Sequence, residues 1–168
     1  MLKQLNVGSG QRKFGQGWTN VDINPRWTPD VVADGASMPM FADGSADLVV
    51  LHHSLEHLPL EHSKAAIKEA SRILCPGGSL LIFVPNLRAL VDGWIKGRIS
   101  DYIFCVNIHG AYMGDDADVH RWSFTKESLK EHINRSAPWC SVLPFDWRII
   151  PQAEIARDWW ILAVEAIK

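Results

Sequence analysis

Near the start of the chain, a short apolar segment ends in a Gly-x-Gly turn. Leu5-Asn6-Val7 leads into Gly8-Ser9-Gly10, and the next apolar segment ends at Val21-Asp22. In open α/β sheets, such a glycine turn lets a ligand approach the backbone, and an acidic residue ending the next strand binds ribose hydroxyls. The pattern therefore predicts an α/β sheet that presents a nucleoside-containing ligand.

The spacing of the glycines separates two classes of nucleotide cofactor. The dinucleotide fingerprint G-x-G-x-x-G requires a third glycine at position 13, where this chain has Lys13. A pyrophosphate also needs a helix N-terminus close behind the turn, whereas a nucleoside joined to an amino acid needs only the turn and polar contacts. The sequence favours S-adenosylmethionine over NAD, and the alternative is an ordinary turn after a buried strand.

Composition limits the expected partners and compartment. A chain of 168 residues can bury a large core, so we predict one domain over 1–168 with an insertion or lid at about 87–120. The net charge of -2 gives no electrostatic reason to expect nucleic acid or a membrane as a partner. Three widely spaced cysteines favour a reducing compartment. We expect a cytoplasmic protein that is a monomer or homodimer. No membrane-spanning helix is expected, because no apolar run approaches the roughly 20 residues of a membrane span.

Short apolar segments alternate with loops or helices along the chain, which is typical of parallel strands joined by crossovers. Strands are predicted at 4–7, 19–23, 31–33, 47–51, 79–84, 141–150 and 159–167. An apolar stripe predicts a helix over 61–74, and Thr125 as N-cap predicts another over 126–135. Only 11–18, interrupted by two glycines, is left between the first two strands, so no full helix is expected there.

Six sequence segments follow one another in a characteristic order between positions 5 and 80. They are Leu5-Asn6-Val7-Gly8-Ser9-Gly10, Asn20-Val21-Asp22, Asp34-Gly35, Met40-Phe41-Ala42-Asp43-Gly44-Ser45-Ala46-Asp47, His53-Ser54-Leu55-Glu56-His57-Leu58 and Ile73-Leu74-Cys75-Pro76-Gly77-Gly78-Ser79-Leu80. Together they resemble class I S-adenosylmethionine-dependent methyltransferases, most closely the small predicted methyltransferases grouped with the type 11 domain. The resemblance implies a Rossmann-like sheet of about seven strands, mostly parallel with the last strand antiparallel, and S-adenosylmethionine across the carboxyl ends of the first strands.

The resemblance also implies a set of residues that contact the cofactor. They are Gly8, Ser9, Gly10, Asp22, Asp34, Gly35, Ala36 and His52. Asp22 would bind the ribose, and Asp34 would lie near the adenine. For both, the alternative is turn chemistry, because Asp-Ile-Asn-Pro and Asp-Gly are common turn sequences. Typical members of the family have a full helix between the first two strands, which is nearly absent here. Either the loop backbone, together with Arg12 or Lys13, binds the methionine carboxylate instead, or the affinity for the cofactor is poor.

The sequence His52-His53-Ser54-Leu55-Glu56-His57 places three histidines after the fourth predicted strand. His53 is the first candidate and His57 the second for a general base that takes a proton from a hydroxyl or amine acceptor. For His57 the alternative is a structural imidazole bonded to a backbone carbonyl. On a helix the two could also bind a metal, with Glu56 or a distant residue completing the set. We predict no metal, because the sulfonium is already activated and alignment is the enzyme's main task.

These inferences predict methyl transfer from S-adenosylmethionine to an unidentified acceptor, expected to be a small molecule. The polar segment 107–120 is expected at the same cleft edge, either as a lid that supplies Tyr112, His109 or His120 or as a solvated loop. The alternative function is a catalytically silent binding or scaffolding module, because a fold alone does not determine activity.

Overall fold

A computed structural model describes residues 3–112, 114–145 and 159–168 of the protein. Its strands are β1 Lys3–Val7, β2 Trp18–Asp22, β3 Val31–Val32, β4 Ala46–His52, β5 Leu74–Pro85, β6 Ser141–Pro144 and β7 Ile161–Ile167. They form one seven-stranded sheet in the order β3-β2-β1-β4-β5-β7-β6. β7 is antiparallel to both of its neighbours, and the other pairs are parallel. The predicted fold class is confirmed.

The central strands are apolar because both of their faces are covered. Val49 and Val50 of β4 and Ile82 and Phe83 of β5 are fully buried, as expected for parallel strands between helical layers. β5 begins at Leu74, five residues earlier than predicted, because Pro76-Gly77-Gly78 lies in an irregularity of the strand pairing rather than in a turn before it. The predicted strand at 141–150 ends at Pro144 among the described residues, and positions 146–150 lie outside them.

The described residues contain four α-helices: α1 Leu60–Ile73, α2 Leu87–Ile95, α3 Asp101–His109 and α4 Lys126–Ser136. The two predicted helices are confirmed within a residue at each end, and Thr125 caps α4 by accepting from the backbone N–H of Ser128. The segment 87–120 is largely helical, since it contains α2, α3 and a 3₁₀ turn, Asp116–Asp118. In the described parts of the chain, no helix combines the length and apolarity needed to cross a bilayer.

The connection from β1 to β2 contains no helix, as predicted, and is held by side-chain amides instead. Asn20 Oδ1 accepts from the backbone N–H of Phe14 at 2.7 Å and from Asn6 Nδ2 at 3.0 Å. Asn20 Nδ2 donates to the Phe14 carbonyl and to Asp30 Oδ2. Buried amide hydrogen bonds of this kind fix a loop that has no regular backbone pairing. The loop therefore keeps a defined shape beside the glycine turn.

Candidate functional site

A cavity of about 650 Å³ opens at the carboxyl ends of β1, β2 and β4. This is the edge where open α/β sheets bind ligands, and the volume lies within the usual range for cofactor sites. Most of the predicted site residues line it, namely Gly8, Ser9, Gly10, Asp22, Asp34, Gly35, His52, His53 and His57. Ala36 is not part of the lining, and its backbone N–H donates to Asp34 Oδ1.

The two glycines of the turn serve different purposes. Both have positive φ, +71° at Gly8 and +49° at Gly10, a region that L residues with side chains rarely adopt. A Cβ at Gly8 would lie 2.4 Å from the Cβ of Ser54, whereas a Cβ at Gly10 would have no atom of the described residues within 4 Å. Gly8 thus allows the turn to pack against the loop after β4, and Gly10 leaves open space in the cavity.

Asp22 joins the glycine turn to the end of β2. Its Oδ2 accepts from the backbone N–H of Gly10 at 2.7 Å, and its Oδ1 accepts from that of Asn24 at 2.8 Å. The second bond is the turn contact considered as the alternative, so Asp22 both forms this turn and lines the cavity. Each carboxylate oxygen can accept a further hydrogen bond. The carboxylate is therefore held in place and still able to bind ligand hydroxyls.

Asp34 is also part of a turn and of the cavity wall. Its backbone carbonyl accepts from the N–H of Ser37, and its Oδ1 lies 2.9 Å from Nε2 of His62. His62 is the third residue of α1 and lines the cavity. Sequence reasoning did not identify His62, because no local pattern relates a helix residue to a turn 28 positions earlier.

Glu56 is the most deeply buried charged group of the cavity wall, with a relative exposure of 1%. It lies in a 3₁₀ turn, Leu55–His57, directly after β4. Its Oε1 is 3.2 Å from His53 Nδ1, and its Oε2 has no partner within the described ranges. Burial raises the pKa of Glu56, but the hydrogen bond from His53 and the charges of His53, His57 and His120 outweigh burial and hold the pKa below its ordinary value.

His120 meets this cluster from the distant inserted segment. Its ring lies edge-on to that of His57, with centroids 4.6 Å apart. A bond to a backbone carbonyl was the structural alternative for His57. His120 makes such a bond instead, since its Nδ1 donates to the carbonyl of Asn107 at 2.9 Å. His57 Nδ1 is buried and finds no partner among the described residues. Burial lowers the pKa of His120, and the charge of Glu56 opposes this only in part.

His52 differs from its neighbours because its ring lies in an aromatic environment. It is 4% exposed, contacts the rings of Phe14, His53 and Phe83, and has both nitrogens unpartnered in the described structure. Burial, supported by the charges of His53 and Arg12, lowers the pKa of His52 to about 3. The ring is therefore neutral at physiological pH and forms part of the cavity wall.

The segment after α3 is attached to the other side of the cavity. Asn24 Nδ2 donates to Asp115 Oδ2 at 2.8 Å, and the guanidinium of Arg26 lies 3.5 Å from Asp118 Oδ1. Of the residues predicted for a lid, His120 lines the cavity, whereas His109 is not among the lining residues and Tyr112 is 67% exposed. The polar contacts close one side of the cavity with residues far apart in the sequence.

Comparisons with known proteins identify the fold and the domain. A family model described as a methyltransferase domain matches residues 7–82. An S-adenosylmethionine-dependent methyltransferase from Archaeoglobus fulgidus superposes with a TM-score of 0.63 at 18% identity, covering 100% of this chain and 86% of that one. An S-adenosylmethionine-dependent methyltransferase from Mesorhizobium loti superposes with a TM-score of 0.62 at 17% identity, covering 99% of this chain and 91% of that one. No curated protein has a matching sequence.

The architecture is thus that of the class I methyltransferases, since the likeness to the solved structures extends over the whole sheet. The family-model match over residues 7–82 confirms the resemblance drawn from the sequence segments in that part of the chain. S-adenosylmethionine is the methyl donor of this class, in agreement with the predicted cofactor.

Proposed function

We propose that this protein binds S-adenosylmethionine in the cavity described above and transfers its methyl group to a small-molecule acceptor. The observation that carries the proposal is the pairing of an open glycine turn at Gly10 with the fixed carboxylate of Asp22 at one sheet edge. The methyltransferase domain match over residues 7–82 supports it. Asp22 would accept from the ribose hydroxyls with its remaining lone pairs, and Asp34 and Gly35 would contact the adenine.

The methionine end of the donor would be bound by two groups of the loop after β1. Ser9 Oγ is buried, lines the cavity and has no partner in the described parts of the chain. Arg12 lines the cavity, whereas Nζ of Lys13 is bonded to the carbonyl and hydroxyl of Thr28. Arg12 is therefore the cation that we assign to the methionine carboxylate, in place of the missing helix dipole.

His53 is the general base that we assign to the acceptor. Its Nδ1 donates to Glu56 Oε1, which leaves a lone pair on Nε2. A carboxylate that orients an imidazole in this way is a recurring arrangement for proton abstraction. The acceptor proton would move to Nε2, the freed lone pair of the acceptor would attack the methyl carbon, and the carbon–sulfur bond would break to leave neutral S-adenosylhomocysteine. His57 is the second choice.

A titration with S-adenosylhomocysteine tests the donor site without knowledge of the acceptor. We expect saturable heat release and a rise in melting temperature. Asp22→Asn should weaken binding by about 1–3 kcal/mol, roughly 5- to 150-fold, because it removes a charged acceptor. Asp30→Asn is the matched control, since Asp30 also accepts a backbone N–H, from Asn20, but is not part of the cavity lining.

The scaffold alternative makes the opposite prediction. A folded protein that shows no heat and no thermal shift with millimolar S-adenosylhomocysteine would support a silent binding module. Equal losses in Asp22→Asn and Asp30→Asn would remove Asp22 from the proposed ribose contact.

A further inference from the structure

We propose that Glu56, His57 and His120 form a binding site for a divalent transition-metal ion with the ligand preferences of zinc. The site is new relative to the expectation of no metal, and its placement beside the methyl acceptor rests on the proposed function. One ligand atom from each of the three side chains lies within 4.8 Å of the other two.

The ligand set fits the chemistry of zinc. Two imidazoles and one carboxylate are ligands of catalytic zinc sites, with bonds of about 2.0–2.2 Å and a fourth position left open. Such bonds place tetrahedral ligand atoms roughly 3.4 Å apart, which small side-chain rotations can reach from the observed separation. The third ligand, His120, is 63 positions after His57 in the sequence, so only the fold brings the two rings together.

Two atoms of the cluster lack partners although they are buried. Glu56 Oε2 belongs to a side chain that is 1% exposed, and His57 Nδ1 is buried as well. Neither has a hydrogen-bond partner in the described portion of the structure. Leaving such a group unpaired costs about 1–3 kcal/mol, and more when it is charged. A metal ion bound to the cluster would satisfy the carboxylate oxygen and a ring nitrogen.

The surroundings hold the ligands in a suitable orientation. A carbonyl oxygen can only accept, so the bond from His120 Nδ1 to Asn107 places the proton on Nδ1 and leaves the lone pair on Nε2. Ligating histidines in metal sites are usually oriented by this type of bond. The backbone N–H groups of Arg121 and Trp122 donate to the Glu56 carbonyl at 2.8 and 3.1 Å. These bonds keep the segment that follows His120 beside Glu56.

The open position of the ion would face the cavity, because all three ligands line it. A hydroxyl-bearing acceptor bound there loses its proton more readily, since a divalent cation stabilises the oxyanion. The proton would pass to Nε2 of His53, the oxygen would attack the methyl carbon of the sulfonium, and the carbon–sulfur bond would break. The substrate class implied is thus a small molecule with a hydroxyl group that can coordinate a metal.

Zinc binding to the chelator-treated, metal-free protein tests the site directly. We expect one zinc ion per chain in a calorimetric titration with zinc chloride, with a dissociation constant of about 1 μM or lower. His120→Ala and Glu56→Gln should each weaken binding by about 100-fold or more, because even partners of ligands contribute 10- to 100-fold. His62→Ala is the matched control, since His62 lines the same cavity outside the cluster.

Two further measurements keep the test decisive. Circular dichroism checks that each variant folds. If Glu56→Gln does not fold, His120→Ala alone tests the site. Replacing the exposed Cys105 and Cys140 by serine should leave the stoichiometry unchanged. The proposal is overturned if the folded protein binds zinc no tighter than about 100 μM or if His120→Ala binds as well as the wild type.

A parallel titration with S-adenosylhomocysteine separates this inference from the proposed function. Zinc binding without S-adenosylhomocysteine binding supports the metal site and contradicts the methyltransferase proposal for the cavity. S-adenosylhomocysteine binding without zinc binding overturns the metal site alone.

Discussion

Two buried carboxylates face the same cavity, and their hydrogen bonds differ. Asp22, 8% exposed, has a backbone N–H on each oxygen, from Gly10 and from Asn24. Glu56, 1% exposed, has a hydrogen bond to His53 on one oxygen, and no described residue is bonded to the other. The fold uses the charge of Asp22 to shape the glycine turn, whereas the charge of Glu56 is buried without completing any such turn.

The difference extends to the loops around each carboxylate. On the Asp22 side, Asn20 takes part in a set of amide and carboxylate bonds that replaces a crossover helix. On the Glu56 side, His52 and His57 have buried ring nitrogens that no described residue satisfies. Unsatisfied buried polar groups are rare and costly, so these atoms support the proposal that the Glu56 side meets a ligand, as the Oγ of Ser9, unpartnered among the described residues, does for the glycine turn. After the proposed function, we call the side with Gly8, Gly10, Arg12 and Asp22 the donor wall, and the side with Glu56, His57 and His120 the acceptor wall.

We expect acid to destabilise the folded protein strongly through His52, which lies on the Glu56 side of the cavity. The folded pKa of about 3 lies below the ordinary 6.5, so only the unfolded chain gains a proton as the pH falls between these values. The contribution of His52 to the free energy of unfolding is therefore fully present above pH 6.5. It decreases as the pH falls, and about 5 kcal/mol is lost near pH 3. Urea unfolding at pH values from 7.5 to 4 measures the slope.

The variant His52→Phe isolates this contribution. Phenylalanine fills a similar space between Phe14 and Phe83 and does not titrate. The wild type should lose about 3 kcal/mol more than the variant between pH 6.5 and pH 4. Parallel curves for the two proteins would show that the ring nitrogens of His52 are solvated and would weaken the contrast between the two walls.

The next effect concerns the two glycines of the donor wall. Gly8→Ala should destabilise the protein by about 3 kcal/mol, since a Cβ 2.4 Å from Ser54 adds overpacking to backbone strain. Gly10→Ala should cost only about 1 kcal/mol, because its Cβ enters open space. For a chain of this size the difference corresponds to roughly 4–8 °C in melting temperature. Gly10→Ala should instead weaken S-adenosylhomocysteine binding, since its methyl group intrudes on the cavity.

Calorimetry and thermal melting of the two variants decide the assignment. If Gly10→Ala is the less stable variant and Gly8→Ala binds S-adenosylhomocysteine less well, the roles of the two glycines are reversed.

The sequence predicted the donor wall better than the acceptor wall. The turn at Gly8-Ser9-Gly10 and the carboxylate of Asp22 belong to consecutive strands, so strand order alone places them together at one sheet edge. The absence of a helix between them was also predictable, because Gly15 and Gly17 oppose one. These features depend on local propensity and on the rule for parallel strands.

The acceptor wall depends on contacts between distant segments, which periodicity does not encode. His120 reaches Glu56 through the backbone N–H groups of Arg121 and Trp122, which donate to the Glu56 carbonyl. On the donor side, the contact of His62 with Asp34 is likewise between distant segments and was not predicted. Glu56 was considered only as a completing ligand for the pair His53 and His57. Its near-complete burial, which makes it notable, follows from tertiary packing alone.

The smallest effect distinguishes Arg12 from Lys13 on the donor wall. Arg12→Ala should weaken S-adenosylhomocysteine binding by about 3- to 5-fold at low salt, the range of an exposed ion pair, and by less as salt screens the pair. Lys13→Ala should leave the affinity unchanged, because Nζ of Lys13 is bonded to Thr28 and not part of the cavity lining. Adenosine, which has no carboxylate, should bind both variants as it binds the wild type. An equal loss of adenosine affinity in Arg12→Ala would show that the guanidinium shapes the nucleoside site rather than binding the methionine end.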